Sequence, residues 1–286
     1  MDLSYHRPST LEEAQTLLAQ TPGAVFVAGG TDLFVQRQAR KIQGPIISLR
    51  GIDELRGIEQ KDDLMIMAGE PLTRIMQHET IQRDYPALVR SIEVLGSHQI
   101  RNVATLGGNL CNASPGADTA PPLIVYGARA RIRGRPDSDG NRCRSVAITE
   151  FFAGPGETCL QPGEILEGVV LDEPGPDLRS SFIRQGRVKM DIAIASLAVA
   201  FEWDGAKATG IRIAAGAVAP VPLRLTRTEA QLEGSSLDAD VLARASVTAM
   251  DEVQPIDDIR ASAEYRRDLI GVFVRRAVRA ALEERR

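Results

Sequence analysis

Two glycine-rich segments of the sequence contain the residue types that bind phosphate. The first, AGGTDLF at 28–34, follows a short apolar run, and the second, TLGGN at 105–109, offers a hydroxyl, two glycines and an amide in succession. Glycine tolerates positive φ and lets backbone N–H groups approach a ligand closely. One such segment is equally typical of a hairpin or a tight strand exit. Two of them together indicate the two halves of a pyrophosphate site.

The residues in and around these segments exclude two common kinds of nucleotide site. Neither segment has the G-x-G-x-x-G spacing of the ordinary dinucleotide fold, and the Gly-Lys-Ser/Thr sequence of a P-loop does not occur. Downstream, Asp118 is an acceptor-only carboxylate. It either accepts hydrogen bonds from ribose hydroxyls or caps the helix that begins near Thr119.

The composition disfavours several other classes of protein. The 286 residues carry a net charge of −4, and Lys and Arg cluster only in a C-terminal stretch of mixed sign, which argues against nucleic-acid binding. No run of about 18 apolar residues occurs, so we expect no membrane span. The N-terminus lacks a secretory pattern, so we expect a cytoplasmic protein. The 3 cysteines and 3 histidines are scattered, which indicates neither a disulfide framework nor a metal site.

Helical and strand patterns alternate along the chain and predict an α+β fold. A capped helix is expected at 11–20, and Pro and Gly crowd together at 172–181, which marks a boundary. Beyond it, two apolar runs joined at Asp204-Gly205 predict an antiparallel pair. The other expected elements are strands at 45–52, 64–70 and 163–171, two helical stretches within 71–96, a polar hairpin or loop at 135–145, and helices at about 226–233, 238–252 and 261–284.

Taken together, five segments resemble one protein family in order along nearly the whole chain. They are VAGGTDL (27–33), GSHQIRNVATLGGNLCNASPGAD (96–118), RVKMDIAIASLAVAF (187–201), IRIAAGAVAPVPLR (211–224) and SAEYRRDLIGVFVRRAV (262–278). The family is the FAD-binding medium subunit of the molybdenum hydroxylases, of the CO dehydrogenase and nicotinate and quinoline oxidoreductase type. It is homologous to the flavin domain of xanthine dehydrogenase.

The resemblance implies a fold and a set of domains. The fold is the two-subdomain FAD-binding fold of the vanillyl-alcohol-oxidase and CO-dehydrogenase-flavoprotein type, with a third α+β lobe that contains an antiparallel sheet. The first subdomain would span 1–56 and the second 57–175, with an extended FAD between them. The third lobe would span 176–286 and pack over the isoalloxazine side.

The resemblance also implies a set of FAD-binding residues. Backbone N–H groups of 27–33 would line the pyrophosphate, 105–109 would clasp it from the other subdomain, and Asp118 would contact the ribose or adenine end. Arg184 stands where many relatives have Lys, near the flavin ring. The whole set is Val27, Ala28, Gly29, Gly30, Thr31, Asp32, Leu33, Leu95, Gly96, Thr105, Leu106, Gly107, Gly108, Asn109, Asp118, Leu166 and Arg184.

Finally, the resemblance implies partners and a role. FAD would be bound noncovalently and no catalytic side chain is expected, since the flavin carries the redox chemistry. Molybdopterin and [2Fe–2S] clusters would reside on a large and a small partner subunit, typically in a dimer of heterotrimers. FAD would pass electrons from the clusters to a terminal acceptor such as NAD⁺ or a quinone. Two alternatives stay open at this point, a free-standing FAD-dependent oxidase or dehydrogenase of the same fold and a flavin-free assembly module.

Overall fold

The computed structural model of the protein describes residues 4–39, 43–134 and 143–283. Most of the polar segment predicted as a hairpin or loop, 135–142, lies outside these ranges, and its last residues begin a strand at Cys143. Strands and helices alternate through the first part of the chain, and three helices follow the last sheet. The α+β prediction is therefore confirmed.

A three-stranded parallel sheet forms the N-terminal part of the protein. Its strand order is β1-β3-β2. Thr10 caps α1 by accepting a hydrogen bond from the Glu13 N–H at 3.2 Å, which confirms the predicted helix start. The elements are β1 Tyr5–His6, α1 Leu11–Gln20, β2 Val25–Val27, α2 Leu33–Gln38 and β3 Ile46–Ser48, followed by two 3₁₀ turns, Leu49–Gly51 and Asp53–Leu55.

The second sheet is antiparallel, and its strands come from the part of the chain that begins with β4 and ends with β10. Its strand order is β4-β5-β10-β6-β7, and a separate two-stranded hairpin joins β8 and β9. The elements are β4 Ile58–Gln60, β5 Leu64–Met67, α3 Leu72–Gln77, α4 Glu79–Asp84, α5 Pro86–Glu93, α6 His98–Arg101, α7 Leu106–Cys111, α8 Ala120–Val125, β6 Arg129–Arg133, β7 Cys143–Ala147, α9 Ile148–Phe151, β8 Phe152–Gly154, β9 Glu157–Thr158 and β10 Ile165–Leu171.

Several sequence predictions are corrected in these two parts. The predicted strand at 45–52 is a strand only over Ile46–Ser48, after which the chain turns through the two 3₁₀ segments. The two helical stretches expected within 71–96 are three helices followed by a turn, because His78 is extended at φ −73° and ψ 125° and divides the first stretch. The helix α2 was not predicted, since none of its side chains is buried and it has no apolar stripe to recognise.

A four-stranded antiparallel sheet and three helices form the C-terminal part. The strand order is β11-β12-β13-β14, and the predicted hairpin at Asp204-Gly205 joins β12 to β13. The three predicted helices are confirmed. The elements are β11 Leu178–Gln185, β12 Ala195–Trp203, β13 Ala208–Gly216, β14 Leu223–Arg224, α10 Thr226–Leu232, α11 Ala239–Glu252 and α12 Ala263–Glu283.

The C-terminal sheet is buried on both faces. One face packs against α10, α11 and α12 in a core that includes Leu197, Val199 and Phe201. The other face contributes Phe182 and Ala198 to the large core shared with the two preceding sheets, and contacts α5 and α8. None of the helices in the described ranges has the length and apolar character needed to cross a membrane.

Candidate functional site

The first glycine segment is an open turn between β2 and α2. Val27 is the last residue of β2, where it is buried and pairs with Ser48 of β3. Gly30 adopts φ +78°, in the left-handed region, and a Cβ there would lie 2.6 Å from the Phe34 ring. Glycine at this position therefore permits both the turn and the close approach of the ring.

This turn presents a row of unused backbone donors. The chain leaves the strand at Ala28, and the Gly30 carbonyl accepts the first helical bond of α2 from the Phe34 N–H at 3.1 Å. The N–H groups of 29–33 make no hydrogen bond to any acceptor among the described residues, and these residues, Gly29, Gly30, Thr31, Asp32 and Leu33, are all at least partly exposed. Consecutive free N–H groups in a turn are suited to an anion.

The second glycine segment is not a loop, which corrects the sequence prediction. Thr105 caps α7 by accepting a hydrogen bond from the Gly108 N–H at 3.0 Å, and the helix runs through both glycines. Gly107 is needed because a Cβ there would lie 2.7 Å from the Ala68 carbonyl oxygen. Tertiary packing thus overrides the low helix propensity of glycine at this place.

The backbone donors at the start of α7 are already used inside the protein. The Leu106 N–H donates to the Glu70 carbonyl at 3.3 Å and the Gly107 N–H to the Ala68 carbonyl at 2.8 Å. The Asn109 N–H donates to the Thr105 carbonyl at 3.0 Å. Since the N–H groups of 106–109 are engaged, this segment offers a ligand chiefly its side chains, the Thr105 hydroxyl and the Asn109 amide.

The two segments lie against each other. A Cβ built on Gly29 would sit 2.0 Å from the Val103 carbonyl oxygen, so the first turn packs directly on the backbone that leads into α7. Gln36 of α2 also donates from Nε2 to Oδ1 of Asn112, just after α7, at 2.8 Å. The sequence reasoning missed Gln36, Val103 and Asn112. Their only signal in the sequence is proximity to the glycine segments.

Asp118 and Arg184 form a buried ion pair. The Arg184 Nε lies 3.1 Å from each oxygen of the Asp118 carboxylate, and the two side chains are 7% and 6% exposed. Burial raises the pKa of Asp118 to about 7, and the charge and hydrogen bond of Arg184 lower it by a smaller amount. Asp118 does not cap α8, whose cap position is Thr119 and has no side-chain cap bond. The helix-cap alternative for Asp118 is therefore wrong.

Asn109 connects α7 to the Asp118 segment. Its Oδ1 accepts a hydrogen bond from the Thr119 hydroxyl at 2.6 Å. With its amide oxygen fixed in this way, the amide N–H₂ of Asn109 is the part of the side chain left to donate elsewhere. The structure thus brings the start of α7 and the Asp118–Arg184 pair into one neighbourhood.

Three other predicted site residues lie in the elements around α7 and β10. Gly96 turns the chain at φ +55° before α6, and the Arg101 guanidinium donates to the Leu95 carbonyl at 3.0 Å. Arg101 therefore stabilises this turn. Leu166 lies on β10 opposite Ile132 and is 3% exposed, within the large core.

The described geometry fits a diphosphate group at the first turn. Five adjacent N–H groups without acceptors can donate to phosphate oxygens, and a side chain at Gly29 or Gly30 would not fit the turn. No group of three or more His, Cys, Asp or Glu side chains within the described ranges has the arrangement of a metal site.

Comparisons with known proteins agree over nearly the full chain. Residues 1–173 match the family described as FAD binding domain in molybdopterin dehydrogenase, and residues 181–281 match the CO dehydrogenase flavoprotein C-terminal domain. The chain is 32% identical over 284 residues to the xanthine dehydrogenase FAD-binding subunit of Escherichia coli O157:H7, covering 98% of this chain and 96% of that protein. It is 29% identical over 280 residues to the carbon monoxide dehydrogenase medium chain of Afipia carboxidovorans, covering 97% and 96%.

Solved structures show the same likeness. Reconstituted CO dehydrogenase from Oligotropha carboxidovorans superimposes with a TM-score of 0.93 at 28% identity, over 100% of this chain and 99% of that chain. Quinoline 2-oxidoreductase from Pseudomonas putida 86 superimposes with a TM-score of 0.91 at 29% identity, over 99% and 98%.

Proposed function

This chain belongs to the FAD-binding medium subunits of the molybdenum hydroxylases, and from that premise we propose that it relays electrons within a three-subunit enzyme. It is the flavoprotein subunit of a molybdenum-containing oxidoreductase, and its cofactor is FAD. The electrons would come from [2Fe–2S] clusters on a small partner subunit and leave to a terminal acceptor such as NAD⁺ or a quinone. Substrate would be oxidised at molybdopterin on a large partner subunit, in a dimer of heterotrimers in the cytoplasm.

The proposal that this chain binds FAD rests on one observation. The N–H groups from Gly29 to Leu33 form a row without hydrogen-bond acceptors among the described residues. These donors would hold the diphosphate of FAD noncovalently. The second segment would support the same group through the Thr105 hydroxyl and the Asn109 amide, because its backbone donors at 106–109 are engaged. When bound, FAD supplies a group that exchanges one or two electrons.

The remaining predicted residues complete the proposed cofactor site. Asp118 would accept hydrogen bonds from the ribose or adenine end, and Leu95, Gly96 and Leu166 would pack near the flavin. Each of the three sheets belongs to one proposed domain. Residues 1–56 and 57–175 would hold FAD between them, and residues 176–286 would cover it. The complete set of residues proposed around FAD comprises 27–33, 95–96, 105–109, 118 and 166 as contacts, with Arg184 beside Asp118.

The test begins with the visible spectrum of the full-length chain, expressed alone and together with candidate partner subunits. We expect a yellow protein whose colour stays in solution after acid precipitation and is identified as FAD. Co-purification should recover subunits that contain molybdenum and iron–sulfur clusters. A colourless chain that takes up no added FAD would contradict the cofactor assignment. A chain that oxidises an organic substrate by itself at a useful rate would contradict the relay role and favour a free-standing oxidase.

A further inference from the structure

The Arg184 side chain contacts two parts of the protein at once. Its Nε binds the Asp118 carboxylate, in the segment between α7 and α8, at 3.1 Å. Its Nη2 donates to the backbone carbonyl of Asp191, in the loop that connects β11 to β12. Nε and Nη2 of the guanidinium are thus both used by protein groups, and the side chain is only 7% exposed.

The loop that Arg184 contacts, 186–194, is otherwise held by a chain of ion pairs. The Asp191 carboxylate pairs with Arg187 in the same loop and lies 3.6 Å from Arg260, in the segment between α11 and α12. Arg260 pairs with Asp258, which also accepts from buried Arg266 of α12 at 2.6 Å. These contacts fix the loop to the C-terminal part. Arg184 is the charged contact that connects the loop to Asp118, and so to residues 1–175, which we call the FAD-binding half.

The surroundings explain why this contact matters for Asp118. From β11, Arg184 is the charged side chain that faces the Asp118 carboxylate. The Asp191 carboxylate is turned toward Arg187 and Arg260 instead, and from β13 the Arg212 guanidinium reaches the Val125 carbonyl at the far end of α8. Thr119 and Asn109, the neighbours on the other side, are uncharged. The compensating charge at Asp118 therefore comes from Arg184 alone among these groups.

We propose that Arg184 is a positioning residue that joins Asp118 of the FAD-binding half to the backbone of the 186–194 loop, rather than a direct ligand of the flavin. Loss of the guanidinium then has two separate effects. Asp118 loses its compensating charge, and the loop loses its charged connection to the FAD-binding half, leaving the apolar contact of Ile192 with Gly116. The effect on Asp118 is read through cofactor binding and so rests on the proposed function, whereas the effect on the loop does not.

The first arm of the test measures FAD affinity against pH for the wild-type chain, Arg184→Met and Arg184→Lys. Burial already places the pKa of Asp118 near 7, so wild-type affinity should fall as the pH falls through that region and the carboxylate is protonated. Arg184→Met removes an opposing positive charge, which raises the pKa of Asp118 further. It should weaken binding at pH 7 by roughly tenfold or more and move the fall to higher pH.

The second arm measures trypsin cleavage after Arg187 and Lys189, both exposed in the loop. It uses the flavin-free chain. We expect faster cleavage in Arg184→Met, because the freed loop opens more often. Arg184→Lys keeps the charge but is a compact donor that cannot serve Asp118 and Asp191 together. It should keep the wild-type pH profile and still show faster cleavage.

A matched control is Arg224→Met, which removes the Arg224–Glu229 pair from the same part of the protein without contact to Asp118 or the loop. It should leave both readouts unchanged. If Arg184→Met does not fold, Arg184→Lys and Asp118→Asn decide the question, since Asp118→Asn should abolish the pH dependence. A wild-type pH profile in Arg184→Met, together with wild-type cleavage rates in both Arg184 variants, would overturn the proposal. A wild-type chain that binds no FAD would instead contradict the proposed function, and the cleavage arm would still test the loop.

Discussion

At the scale of single residues, close contacts require glycine at both positions of the first turn. Gly29 faces the Val103 carbonyl and Gly30 faces the Phe34 ring. The same turn exposes the free N–H groups, so any side chain that shifts it also shifts the donors. If FAD binds here as proposed, stability and cofactor binding depend on the same atoms.

We expect Gly29→Ala to reduce both stability and FAD binding. Its Cβ would lie 2.0 Å from the Val103 oxygen, which forces the turn away from the α7 segment. The cost should be about 1–3 kcal/mol or more of unfolding free energy. Urea unfolding and FAD titration measure the two effects. The control is Gly134→Ala, whose Cβ would meet only the Glu164 side chain at 3.5 Å and should change neither.

Asp118 should leave a signature in the pH dependence of stability. Its folded-state pKa of about 7 lies above its ordinary value of 3.8, so between these values the folded chain binds more protons than the unfolded chain. The contribution of Asp118 to the free energy of unfolding should therefore fall as the pH rises from about 4 to about 7. Asp118→Asn cannot titrate and should lose this part of the slope. Urea midpoints of the flavin-free proteins at pH 5 and pH 8 measure it, and a constant difference between the two proteins would contradict the assignment.

At the scale of elements, α7 shows where sequence reasoning reached its limit. The sequence located TLGGN correctly as a special segment but predicted a loop, because two adjacent glycines are poor helix formers. The helix forms because Thr105 caps it and because Gly107 lies against the backbone at Ala68. The Thr105 cap lies within the segment itself, but the Ala68 contact is not recognisable from the local sequence, since Ala68 precedes α3 in a different part of the chain.

The Thr105 cap gives a prediction at this scale. Thr105→Val keeps the shape of the side chain but removes the hydroxyl, so the Gly108 N–H loses its acceptor. We expect a loss of about 1 kcal/mol in unfolding free energy, together with weaker FAD binding. Thr105→Ser keeps the hydroxyl and should stay close to wild type in both. A loss in Thr105→Ser with none in Thr105→Val would show that the methyl group, not the cap, matters. Thermal unfolding with and without FAD makes the measurement.

At the scale of the whole molecule, longer patterns were predicted better than local turns. The antiparallel β12–β13 pair, the three closing helices and the start of the first helix were all readable, because each has a clear period or start signal. The pairing of Asp118 with Arg184 was not, although both residues were singled out. Their contact joins segments 66 residues apart in the sequence, and no local pattern encodes that distance.

FAD should stabilise the whole chain more than FMN does. The free donors at 29–33 suit a diphosphate, which FMN lacks, and FAD would contact both N-terminal parts at once. At a free concentration of 100 times Kd, a ligand adds about 2.7 kcal/mol to the free energy of unfolding. We therefore expect a clear rise in Tm with FAD and a smaller rise with FMN at equal concentration. Equal rises would show that the diphosphate donors do not contribute.

The burial of the C-terminal sheet on both faces has a genetic consequence. The Pro- and Gly-rich stretch near 172–177 looks like a natural place to divide the coding sequence, yet Phe182, Ala198 and Ala214 belong to the same core as the N-terminal sheets. A fragment made from either side of the cut would expose that shared face to water and aggregate. Expressed together, the same two fragments should find each other and rebuild the protein, so that a split gene works only when both halves are made in one cell.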